Sequence, residues 1–165
     1  MKEEIQNIEF SKTPKVKVRV ISFSDNETLA ESKKRFPFEL IERVEVHVIT
    51  TKRQFGFIIN SGYTWNGADI PRFLWRLIGT RTDNEFLIAS MLHDYLLDNK
   101  FRILEEVLRN KLKKEEYRRL TSLIFGFILK KQGTNKIKAD IMSFFTDIYQ
   151  MCNRKKWRNN GKNIC

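Results

Sequence analysis

The sequence predicts an α+β fold: a small antiparallel β-sheet in the N-terminal part, packed on a C-terminal helical layer. Three observations lead there. Before residue 60, apolar residues alternate with period two, as in half-buried strands. After Trp65 they recur three or four apart, the spacing of helices. Between the two regimes stand Ser61 and Gly62, a turn signal. With 165 residues, 41% of them hydrophobic, the chain can fill one core, so 1–165 reads as a single domain.

Lys15 to Phe23 alternates basic and β-branched residues and predicts a strand. Asp25 to Arg35 is polar, a loop or a short helix. Arg43 to Thr51 alternates again, with Val44, Val46 and Val48 on one face and Glu45, His47 and Ile49 on the other. His47 therefore sits on a polar face and takes no catalytic role. Gln54 to Asn60 is the third strand, which closes a sheet over 15–60. Residues 61–100 hold a loop and the first helices: Pro71 suits a first helical turn, and Thr82 to Glu85 offer caps for a helix from Phe86 to Leu97. That helix is apolar nearly all round and should be buried. Phe101 to Leu112 and Tyr117 to Leu129 follow as amphipathic helices within 101–134, ended by Gly133. Residues 135–152 carry the last helix, and 153–165 form a basic tail.

Composition excludes several classes. Met1 to Phe10 has no apolar core of a secretory signal, and the longest apolar run, Leu123 to Leu129, is too short to span a bilayer. A cytoplasmic protein without a transmembrane segment is expected. Cys152 and Cys165 are the only cysteines, so neither a disulfide framework nor a C-x-x-C zinc site is expected. The net charge of +11 lies entirely in residues 100–165, with 17 Lys+Arg against 6 Asp+Glu. That asymmetry points to an anionic phospholipid surface, an acidic protein or a nucleic acid, or to a solvated helical surface.

The adjacent His93 and Asp94, set among apolar residues, are the sharpest chemical signal. In the last helix Ile137, Ile141, Phe144, Ile148 and Met151 form one continuous stripe, and Asp140 falls on it. A carboxylate on that stripe faces the core and needs a donor there, and His93 is the obvious one. Asp140 would accept Nδ1–H and fix the tautomer, leaving Nε2 to take a proton from water. Asp94 could then face a cation, with the Asn66-Gly67-Ala68 turn supplying oxygens. An all-oxygen set of that kind favours Ca²⁺. Equally, a buried His–Asp pair can simply satisfy hydrogen bonds and fix helix register.

The run W-N-G-A-D-I-P-R-F-L-W, then H-D-Y-L, then K-A-D-I-M-S-F-F resembles a family of unknown function common in bacteriophages and prophages. Its usual parts are W-D-G-A-S-I-P-R, H-D-Y-L-Y and A-D-x-x-F. The resemblance covers about residues 44–98 and 135–150, with 101–134 as a helical insertion. The order of parts is also similar to bacterial secreted phospholipase A₂ enzymes, which have a W-x-x-D calcium loop, an H-D helix and an N-K-x-x-x-D-x-x-F helix. That likeness implies an antiparallel helix pair with His93 as general base, Asp140 as its orienting partner, and Asp94, Asn66 and Gly67 as calcium ligands. The loop Asp of both families is Asn66 here, and Asp69 replaces the phage family's Ser and could restore the lost charge. Ser90 stands where the phospholipases have a Cys.

Three functions follow. A calcium-assisted ester hydrolase would act on lipid while its basic half docks on anionic phospholipid, with Trp157 as an anchor. A non-catalytic phage accessory or structural protein, virion-associated or directed at a host protein, would keep the scaffold without the chemistry. A nucleic-acid binder would use the basic half alone, without any helix-turn-helix or zinc motif.

Overall fold

The computed structural model describes residues 3–18, 38–65, 84–109 and 111–152. The fold is α+β, with small antiparallel sheets in the N-terminal half and helices after them. One sheet has the order β1 (Ile5–Phe10), β4 (Val44–Thr50), β5 (Gln54–Ile59); the other has β2 (Val16–Val18), β3 (Phe38–Leu40), β6 (Thr64–Trp65). The two orders repeat because the chain passes between sheets three times, at residues 11–15, 41–43 and 60–63. The result is three long strands, each bent in the middle. Backbone bonds stitch the bend: Ser11 N–H to Glu45 O at 2.9 Å, Ile41 N–H to Lys15 O at 2.9 Å, and Gly62 N–H to Leu40 O at 2.8 Å. Gly62 has φ +85°, which only glycine adopts readily, and it turns the third strand.

In β4 the alternation works as expected: Val44, Val46 and Val48 are buried, His47 is exposed, and Glu45 and Ile49 are half-buried. β5 likewise buries Phe55, Phe57 and Ile59. One expectation needs correction. The sheet starts at Ile5 rather than at residue 15, because β1 pairs with β4 along Ile5–Phe10. An irregularity between Ile5 and Asn7 breaks its period, which hides the strand in the sequence. Of the strand expected at Lys15 to Phe23, Val16–Val18 is formed, and residues 19–23 lie outside the described residues, as does Asp25 to Arg35.

Helix α1 (Asn84–Asp98) is buried on nearly every side, as its composition predicts. A short continuation, α2 (Lys100–Arg102), leads into a π-helical turn, Ile103–Val107, with Leu108 N–H bonded to Ile103 O at 2.9 Å. Helix therefore stops well before Leu112, and Arg109 reverses the chain at φ +49°. α3 (Lys114–Lys131) starts where the Glu116 carboxylate accepts the Lys113 N–H at 3.0 Å. It ends at Gly133, φ +94°, with Thr134 N–H on Leu129 O at 3.0 Å. α4 (Lys136–Cys152) is capped by Asn135, whose side-chain oxygen accepts the Ile137 N–H at 2.9 Å.

α3 is the middle helix. It runs antiparallel to α1, with Tyr117 donating to Leu96 O at 2.6 Å and Phe125 against His93, and antiparallel to α4. The 101–134 segment, expected as an insertion, thus supplies the centre of the helical layer. α4 also turns the face opposite to the expected one inward. Ala139, Met142 and Gln150 are buried, whereas Ile137, Ile141, Phe144 and Met151 are exposed. The cause lies in α3: a Cβ added at Gly126 would stand 2.8 Å from Ser143 Cβ, so the helices meet through their smallest residues. Only the Ala139–Ser143 face of α4 fits that approach.

Candidate functional site

His93 projects from α1 into the seam between the three helices and is 7% exposed. Its ring meets Phe125 of α3 edge-on at 5.6 Å between centroids. Nδ1 lies 3.3 Å from an Asp94 oxygen. Nε2 lies 2.5 Å from the Gln150 amide nitrogen of α4, and that same nitrogen lies 3.5 Å from Ser122 Oγ. These contacts form one consistent chain of donors and acceptors. With the proton on Nδ1, that nitrogen donates to Asp94, the Gln150 amide donates to Nε2 and to Ser122, and Ser122 donates to Arg118 O at 3.3 Å. The Gln150 side-chain oxygen is buried without a partner among the described residues.

The expected His93–Asp140 pair is not formed. Asp140 lies on the exposed side of α4 and pairs with Lys130 of α3. The helix rises about 1.5 Å per residue, so Asp140 stands roughly 15 Å along the axis from Gln150, the residue that does reach His93. α3 fills the space between. Asp94, rather than Asp140, is the carboxylate beside His93 Nδ1. Asp94 was expected to face a cation instead. Asn66, Gly67 and Asp69, the other three groups assigned to calcium, lie outside the described residues. Among the described residues, no group of three or more His, Cys, Asp or Glu is placed to hold a metal ion.

Beside this chain sits a second polar group that sequence reasoning missed. Tyr63 donates to an Asp98 oxygen at 3.0 Å, one helical turn beyond Asp94. Burial, followed by the charges of Asp98 and Asp94, pushes the Tyr63 hydroxyl far up, so it stays a donor. Burial also raises Asp98, opposed by the Tyr63 hydrogen bond and by His93 and Lys100. Tyr63 crosses Tyr95 edge-on at 5.2 Å and stacks on Trp65 at 6.1 Å. Tyr95 in turn donates to Ile58 O and accepts from Arg102. The first residue of the W-N-G-A-D-I-P-R run is thereby anchored against the His93–Asp94 helix. Trp65 is fully buried, and its indole N–H finds no acceptor among the described residues. The i, i+4 spacing of Asp94 and Asp98 was the one available signal for this group; nothing in the sequence marked Gln150.

Among the described residues, no helix is long and apolar enough to cross a membrane. No curated protein and no solved structure matches the chain. A family match covers residues 39–145, well over half of the sequence, and takes in Trp65, the His93–Asp94 pair and Asp140. The chain therefore belongs to the family described as Protein of unknown function (DUF1353).

Proposed function

We propose that this protein is a non-catalytic binding protein, and that His93 is a lock joining three helices rather than a general base. The observation that carries this reading is the engagement of both ring nitrogens inside the helical layer, Nδ1 by Asp94 and Nε2 by Gln150. A base needs its lone pair within reach of a substrate proton. Here that lone pair is met by a buried amide donor, and the side chain is 9% exposed. Purified protein is expected to release no fatty acid from anionic phospholipid vesicles with or without calcium, and calcium is expected to leave its Tm unchanged. Calcium-dependent release that disappears in His93→Ala overturns the reading.

A hydrolytic reading draws on one specific observation: Asp94 lies near Tyr63, a few residues before Asn66, Gly67 and Asp69 in the sequence. In that case Gln150 would gate the base. Gln150→Ala separates the two readings. It frees Nε2 and raises esterase activity if His93 is a gated base, and it only lowers stability if His93 is a lock.

A further inference from the structure

The exposed side of α4 carries the strongest unassigned feature. Ile137 is 72% exposed, Phe144 61%, Ile141 42% and Met151 42%, with Ile148 half-buried between them. Scattered apolar side chains on a surface need no explanation, but five in line along one helix do. Their spacing is four, three, four, three, which is the alternation of a heptad seam, the row that packs against a like row on a second helix. Phe144 is the midpoint, seven residues from Ile137 and seven from Met151. Paired in either direction, such a row sets Phe144 against its own copy.

We propose that this row is the contact of a two-fold homodimer, with α4 of one protomer packed on α4 of its partner. The area supports a second copy as the occupant. A large side chain covers on the order of 100–250 Å² when buried, so five partly exposed ones offer roughly 500 Å² per protomer. Two copies then bury about 1,000 Å², the lower bound for a specific interface, which predicts reversible association. The flanks suit it too. Asp140 and Asp147 border the row, and each is neutralised within its own protomer, by Lys130 and by Arg118 at 2.5 Å. Neither of these two carboxylates is therefore pressed unpaired against its own copy across the two-fold axis. The inference is independent of how His93 is read, since it concerns the opposite face of α4.

The test is sedimentation equilibrium of the full chain between roughly 1 and 500 µM, the range in which so small an interface associates. The expected result is a monomer–dimer equilibrium that weakens at least tenfold in Phe144→Asp and in Ile137→Asp. Both sites are exposed, so circular dichroism and Tm should stay those of the parent. Val18→Asp, an exposed apolar site on β2, should leave the equilibrium unchanged. A parent that is monomeric throughout overturns the proposal, and so does a dimer indifferent to both α4 variants. Monomers that bind anionic vesicles through Phe144 and Ile137 would overturn it in favour of a lipid surface.

Discussion

At the scale of single residues, the polar groups around α1 divide by what their charge costs. His93 has a partner on each nitrogen, so His93→Ala takes one buried partner from the Gln150 amide and one from the Asp94 carboxylate. A loss of about 2–4 kcal/mol in urea unfolding is expected, well above an ordinary surface change. Asp98 behaves in the opposite way. Its folded pKa lies above the unfolded one, so the stability linked to its proton is full below the unfolded carboxylate pKa, about 3.9. That stability is lost as pH rises through the folded value. Asp98→Asn keeps an acceptor for Tyr63 and removes the charge, so its stability should change less between acid and neutral pH, and at pH 7 it should at least match the parent. A variant less stable than the parent at pH 7 would mean that the ionised carboxylate holds something more than Tyr63. The pair His93–Asp94 was legible in the sequence because a His among apolar residues is rare. Its partner was not, because choosing Gln150 over Asp140 requires knowing which face of the last helix turns inward.

At the scale of elements, that face was misread for a physical reason. Apolar periodicity reports where an amphipathic stripe lies, and it does not say what the stripe meets. The small face of α4 packs because Gly126 on α3 admits it, with Ser143 Oγ donating to Ser122 O at 2.7 Å across the contact. Gly126→Ala gains about 1 kcal/mol of helix propensity and meets Ser143 too closely. The clash should win, with a net destabilisation of about 1–2 kcal/mol, and Ser143→Gly should relieve most of it in the double variant. The same comparison explains the strands. β4 and β5, with strict alternation, were readable to within a residue. β1 was not, because of its irregular register, and β3 and β6 are too short for any period to show. The π-helical turn at Ile103–Val107 was hidden for a related reason: it keeps Ile103 and Leu104 buried just as an α-helix would.

At the scale of the whole molecule, one contiguous core joins both sheets to the helices, from Ile8 and Val46 through Trp65 and Tyr95 to Ile124 and Met142. Unfolding should therefore be a single transition, seen at the same midpoint by far-ultraviolet circular dichroism and by indole fluorescence. Trp65→Ala, at the junction of sheet and helix, should lower that midpoint without splitting it. The bend that carries each strand through both sheets has a further consequence. β4 lies between β1 and β5, and β1 comes from the first ten residues, far outside the stretch that defines the family. A fragment trimmed to 39–145 would leave one long side of Val44–Thr50 bare, an open template for stray chains. It would also cut away Gln150 and leave the imidazole facing a hole. Such a fragment should precipitate or swap strands, and any chemistry it showed at His93 would belong to the damage.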